Sequence, residues 1–234
     1  MQHMTPIVLV PGLLCSAEVF APQVTALWPH GQVTVASTLE GDSIAQMAAA
    51  IVAAAPARFA LAGISMGGYI SLEIMRQAPE RVAKLALLDT SARPDTPEQV
   101  ARRRTLLARA ESDGFETVAV KALTALLHPD RQSDPALRDV NLRMARTLGL
   151  SGLTRQTEAI IGRGDSRPFL AEISIPTLVL VGDHDAVTPP DQAEELAAAI
   201  RGAKLVVVPD CGHASTLEQP DAVNRALLDW LCAA

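Results

Sequence analysis

Six short stretches of the chain are apolar at nearly every position: residues 7–10, 33–36, 59–62, 85–88, 177–181 and 205–208. Each is bounded by Gly, Pro or polar residues. A strand with no polar face is covered on both sides, which predicts a parallel sheet between layers of helices. Between these stretches the apolar positions recur at helical spacing. Ser43 is a candidate N-cap for a helix over 44–55, which Pro56 ends. Further helices are predicted over 66–77, 190–200 and 221–231. Strand alternating with helix is the pattern of a wound α/β fold.

The rhythm breaks once. From residue 91 to 172 no stretch reads as a strand, and helical patterns run over 97–112, 115–127 and 135–148. We therefore expect two parts: an α/β core of residues 1–90 and 173–234, and a helical cap of residues 91–172. The cap is inserted between the fourth and fifth strands and covers the carboxyl edge of the sheet. Its charge differs from that of the core. The insertion holds 13 basic and 11 acidic side chains, which leaves 7 and 15 in the rest of the chain.

Composition narrows the possibilities. In 234 residues, 49% are hydrophobic and 20% charged, as in a globular chain. Only 4 Phe, 2 Trp and 1 Tyr are present, so the core must be aliphatic. A net charge of −6 is the wrong sign for a nucleic-acid surface. No apolar run reaches the ~18 residues needed to span a bilayer. The segment Met1-Gln2-His3-Met4 lacks a basic region, and the apolar stretch after it is too short for a signal-peptide core. Three cysteines, Cys15, Cys211 and Cys232, make no disulfide framework. A cytoplasmic protein with no nucleic-acid or membrane partner is expected.

The chemistry centres on Gly63-Ile64-Ser65-Met66-Gly67-Gly68, which directly follows a predicted strand and precedes a predicted helix. A tight strand-to-helix turn would strain Ser65 and expose its hydroxyl, and glycines would relieve the crowding. A serine nucleophile needs a base. Of five histidines, His213 in Cys211-Gly212-His213 follows the last strand and so reaches the same sheet edge. His3, His30, His128 and His184 lack that placement. The base needs an orienting carboxylate. After the fifth strand, in Gly182-Asp183-His184-Asp185, Asp185 lies deep enough in the loop to reach His213, whereas Asp183 suits a turn. Asp89, after the fourth strand, is the reserve candidate, though an Asx turn suits it better. Backbone N–H groups of Met66 and of Leu13, in the loop Pro11-Gly12-Leu13-Leu14-Cys15, are the expected oxyanion donors. Leu14 in the same loop is expected to contact substrate.

With its Gly-x-Ser-x-Gly elbow and the order Ser65, Asp185, His213, the chain resembles small serine hydrolases of the α/β-hydrolase superfamily. The resemblance runs essentially end to end. The stretch from Pro11 to Phe20 is also similar to carrier-protein methyl ester esterases. The resemblance implies a carboxylesterase-type mechanism with Ser65 as nucleophile, His213 as base and Asp185 as acid, acting on a small-molecule ester without a cofactor. Dehalogenases and epoxide hydrolases of this fold carry Asp at the position of Ser65, and dienelactone hydrolases carry Cys. Two departures stand out. Pro11-Gly12 replaces the usual His-Gly, whose His braces the oxyanion loop. The two early antiparallel strands of the family are missing, which implies a trimmed, six-stranded sheet.

Weaker signals receive structural readings. Cys15 and Cys211 read as small buried apolar residues, and no metal site is expected. Met47, Met66, Met75 and Met144 read as packing. The run Arg102-Arg103-Arg104 reads as a solvated helix face; its sharper reading is recognition of an acidic group or an acidic carrier protein. Besides ester hydrolysis, two alternatives remain. One is lactone or C–C bond cleavage, or elimination, by the same three residues. The other is a non-catalytic ligand receptor on the same scaffold.

Overall fold

The computed structural model describes residues 4–233. His3 and the start of the N-terminal stretch read above lie outside them. Strands β1 (Ile7–Val10), β2 (Val33–Val35), β3 (Phe59–Ile64), β4 (Val82–Leu88), β5 (Thr177–Gly182) and β6 (Lys204–Val208) form one sheet. Their order is β2-β1-β3-β4-β5-β6, with every neighbouring pair parallel. All six expected strands are present, in the trimmed α/β-hydrolase architecture anticipated. The helices are α1 (Ala21–Leu27), α2 (Ile44–Ala54), α3 (Met66–Gln77), α4 (Pro97–Ser112), α5 (Phe115–Thr124), α6 (Pro135–Ile161), α7 (Pro190–Ala199), α8 (Ser215–Glu218) and α9 (Pro220–Cys232).

Side chains alternate across a strand, and here both sets are apolar. Val8, Val10, Leu61, Leu85, Leu87, Val179 and Val181 pack with α2, α3 and α7 on one face. Ile7, Leu9, Ala60, Ala62, Ala86, Leu88, Leu178 and Leu180 pack with α1 and α9 on the other. The four inner strands are thus covered on both sides. The edge strands differ from the expectation. β2 is only half-buried, and Val207 in β6 is 45% exposed. Each edge strand has a single neighbour in the sheet and is covered by the helix layers only in part.

Ser43 caps α2 through its side chain, which accepts a hydrogen bond from Gln46 N–H. The capping box of α4 pairs Thr96 with Gln99. Two helix ends depart from the pattern read above. α5 stops at Thr124, three residues early. The helix expected to end at Leu148 is followed at once by a second one: at Gly149 φ is +65° and ψ 179°, so the run breaks there and continues to Ile161. Three helices, α4, α5 and α6, lie between β4 and β5. They share an apolar centre of their own, built on Leu107, Val118, Leu123, Ala145, Leu148 and Leu153, which Leu14 joins from the core. No helix among the described residues is long and apolar enough to cross a membrane.

Candidate active site

The chain leaves β1 for β2 on one side of the sheet and returns to β3 on the other. The carboxyl ends of β1 and β3 therefore face a crevice, the position where ligands bind in open α/β sheets. Ser65 stands there, between the end of β3 and the start of α3. Its backbone is left-handed, with φ 54° and ψ −117°. Strain of this kind costs about 1–3 kcal/mol and persists only where the surroundings enforce it. Here Ser65 N–H donates to Leu88 O at 2.9 Å, and Thr90 Oγ1 donates to Ser65 O at 2.8 Å. Behind the turn, a Cβ on Gly67 would lie 2.0 Å from Val10 O. Only a residue with no side chain lets β1 and α3 approach so closely.

His213 reaches the serine from the loop after β6. Its Nε2 lies 2.8 Å from Ser65 Oγ, and its Nδ1 lies 2.8 Å from Asp185 Oδ2. His213 and Asp185 are 5% and 3% exposed. The Asp185 carboxylate is held on every side. Its Oδ1 accepts from Val187 and Thr188 N–H at 2.8 and 3.0 Å, and its Oδ2 also accepts from Thr188 Oγ1 at 2.8 Å. Burial opposes its ionisation, but the His213 charge and these donors outweigh burial, so its pKa is lowered. For His213, burial disfavours the imidazolium. The Asp185 charge and hydrogen bond outweigh that, with Asp89 and Glu218 adding, and the pKa is raised. Asp183 keeps to its turn, where it accepts from Cys211 N–H and pairs with His184.

Asp89 follows neither of the readings made from sequence. It forms no Asx turn and no bond to His213. Fully buried, it accepts from Gly182 N–H at 3.1 Å and from Ser215 Oγ at 2.5 Å, tying β4 to β5 and to α8. Burial chiefly, and then the Asp185 charge, push its carboxyl up to about 8.

The loop after β1 lies against the elbow: a Cβ on Gly12 would sit 3.3 Å from Ser65 Cβ. Neither Leu13 N–H nor Met66 N–H donates to any protein group among the described residues. Leu14 is left-handed, with φ 56°, and its N–H donates to Gln156 Oε1 at 2.9 Å. Gln156 Nε2 donates in turn to Thr38 Oγ1 at 2.9 Å. Gln156, fully buried and on α6, supplies the brace that Pro11-Gly12 cannot. The sequence reading missed it, because Gln156 is separated from Leu14 by 142 residues. Cys15 Sγ donates to Leu13 O, and burial pushes this thiol up to about 12, which makes it inert.

An apolar cavity of about 180 Å³ opens over Ser65 and His213. Leu13, Leu14, Leu123 and Met144 line it, together with Tyr69, Arg103 and Asn141. Arg103 departs from the solvated face read from its run. It pairs with Asp95 at 2.6 Å and borders the cavity, while Arg104 turns outward to Glu158.

The loop bearing His213 is fastened to the inserted helices. His213 N–H donates to Leu126 O at 2.8 Å, and His128 N–H donates to Glu218 Oε2 at 2.7 Å. His128 stacks edge-on against His184.

Comparison with known proteins agrees with this fold. A family model of the alpha/beta hydrolase fold matches residues 37–220. A pimeloyl-[acyl-carrier protein] methyl ester esterase from Neisseria meningitidis is 29% identical over 225 residues, covering 90% of this chain and 86% of that protein. The enol-lactonase from Burkholderia xenovorans superposes with a TM-score of 0.88 at 28% identity, over 100% of this chain and 94% of its own. A thermophilic esterase from Thermogutta terrifontis, with malate bound, gives 0.86 at 29% identity, covering 97% and 89%.

Proposed function

The chain belongs to the α/β-hydrolase fold family, and on that footing we propose that it is a serine hydrolase of small carboxylic esters. The observation that carries the reading is the unbroken chain from Ser65 Oγ through His213 to Asp185, with the Leu13 and Met66 N–H groups of the adjoining loops free of protein partners among the described residues. His213 Nε2 takes the Ser65 proton as Oγ attacks the carbonyl carbon. Leu13 and Met66 N–H receive the oxyanion, each worth about 3–4 kcal/mol of barrier. His213 then protonates the departing alcohol, and the acyl group stays on Ser65. A water deprotonated by His213 attacks that acyl-enzyme, and His213 returns the proton to the leaving Ser65 Oγ as the acid is released. Asp185 holds the imidazole with Nδ1 protonated and stabilises its charged form. In this scheme α4–α6 act as a cap that shapes the pocket, and Leu14 contacts substrate. Three free cysteines accord with a cytoplasmic setting.

The similarity to an enol-lactonase favours one second reading, in which the ester is cyclic and acid and alcohol stay in one molecule. The direct test is turnover of 4-nitrophenyl butyrate alongside labelling by a fluorophosphonate. Turnover and a label on Ser65 are expected. An intact, folded protein that does neither removes the hydrolase reading. Product analysis on a lactone separates the two substrate types.

A further inference from the structure

We propose that the substrate carries a carboxylate, seated against Arg103 at the cap side of the pocket. This deepens the ester-hydrolase reading and rests on it. The cavity is walled almost wholly by apolar side chains, and among its described lining residues Arg103 is the one with a permanent charge. Within its own ion-pair cluster that charge is only partly neutralised. Arg103 Nε donates to Asp95 Oδ2 at 2.6 Å, but Arg163 Nη1 donates to the same carboxylate at 2.8 Å. One carboxylate therefore serves two guanidinium groups, and the trio carries a net charge of +1. The Asp95 and Arg163 side chains are 1% and 7% exposed, and that of Arg103 21%. Water meets part of that surplus at the partly exposed Arg103, and an anion in the apolar pocket would meet the rest.

Arg163 spends its donors within the protein, on Asp95, Ile160 O and Arg93 O, and its guanidinium covers the Tyr69 ring at 4.1 Å. Arg103 does not. Its Nη1 has no partner among the described residues, and Tyr69 and Ile160 beside it also line the cavity.

Asn141 makes the second, independent point. This α6 residue is 3% exposed and lines the same cavity, and its amide Nδ2 has no hydrogen-bond partner among the described residues. A buried amide left unpaired costs about 1–3 kcal/mol, and a turn of this amide toward the cavity would let a bound acceptor oxygen recover it. The pocket thus offers one guanidinium with an unused Nη1 and one unpaired amide in apolar walls. A carboxylate on a short aliphatic or aromatic frame matches both. A doubly charged phosphoryl group would leave one charge uncompensated.

The test compares kcat/KM for two acid and methyl-ester pairs. Mono-4-nitrophenyl adipate is set against its methyl ester, and 4-acetoxybenzoate against methyl 4-acetoxybenzoate, with spontaneous hydrolysis subtracted. The first pair places the anion on the acyl side and the second on the alcohol side. In one pair the acid is expected to be favoured at least about tenfold, as a charge-assisted contact provides. In Arg103→Gln that ratio is expected to fall about tenfold or more, with partial recovery in Arg103→Lys. Asn141→Asp places a like charge in the cavity and should lower the ratio as well; it serves if Arg103→Gln does not fold. Ratios at or below one in both pairs, in an enzyme that hydrolyses the neutral esters, overturn the carboxylate site and leave the hydrolase reading intact. If no ester turns over, calorimetric titration of the folded protein with adipate decides. Binding that Arg103→Gln abolishes supports the site, and absence of binding overturns it.

Discussion

Gln156→Leu is the sharpest probe of how the oxyanion loop is held. The substitution keeps the bulk of the side chain but removes the acceptor for Leu14 N–H and the donor to Thr38 Oγ1. Both groups are buried, at 2% and 3% residue exposure. Each left without a partner costs about 1–3 kcal/mol, so stability should fall by about 2–6 kcal/mol. At about 2–4 °C per kcal/mol for a chain of this size, that drop is easily read in a thermal melt. The effect on rate has a separate origin. Leu14 is kept left-handed, at φ 56°, by its bond to Gln156. Once released, the loop relaxes and carries the neighbouring Leu13 N–H away from the place where the oxyanion forms. Loss of one such donor lowers kcat about 10²–10³-fold. KM should change little, because the donor acts in the transition state. Gln156→Glu keeps the acceptor and should recover more of kcat than of stability. The assay is kcat and KM on 4-nitrophenyl butyrate beside a melting curve. A Gln156→Leu protein that melts early but keeps kcat within about threefold of the parent would refute the reasoning, since the bond would then serve folding alone.

Other outcomes follow from the same geometry. Ser65→Ala should lower kcat by at least about 10⁴-fold with an unchanged melting temperature; retained turnover would exclude this serine. His213 must be neutral to accept a proton and its pKa is raised, so kcat/KM should decline with acid from a midpoint above the ordinary ~6.5. A profile flat down to pH 5 would contradict the role. Asp89 titrates at about 8 when folded and near ~3.9 when unfolded, so the folded state holds a proton that the unfolded chain has released. Stability should therefore fall as pH climbs from about 4 to about 8, and Asp89→Asn should flatten that slope in melts across the range. Gly67→Ala drives a methyl to within 2.0 Å of the Val10 carbonyl and should prevent soluble expression or lower the melting temperature by about 6–12 °C or more, equivalent to about 3 kcal/mol or more; a normal melt would refute the close approach.

Much of the fold was legible because it is written locally. A run such as Phe59-Ala60-Leu61-Ala62, short and closed by Gly63, reads as a strand buried on both faces, and Gly63 to Gly68 announces the turn after it. The order of Ser65, Asp185 and His213 along the chain was readable for the same reason, since each follows a strand end. What escaped depends on partners far along the chain. Asp89 looked like a turn residue beside Thr90 and Ser91, yet its hydrogen bond is to Ser215, 126 residues away. Gln156 sits mid-helix with no local cue. Arg103 did leave a trace: with Leu106, Leu107 and Ala110 it falls on one helical stripe, and it was the run of three arginines that hid it. Helix α1 has no side-chain N-cap to announce its start, although Pro22 is well placed in its first turn. The break at Gly149 hid the second half of α6, which a pattern of one period cannot carry across a left-handed residue.

The bonds from Leu126 to His213 and from His128 to Glu218 have a wider meaning. They make the inserted helices a splint for the histidine loop. Excising residues 91–172 would therefore leave a sheet whose imidazole has lost its backbone anchor, and the shortened chain should be idle even toward substrates too small to need a lid. Grafting a foreign insertion onto this core would succeed only if it brought an equivalent of the turn at 126–128.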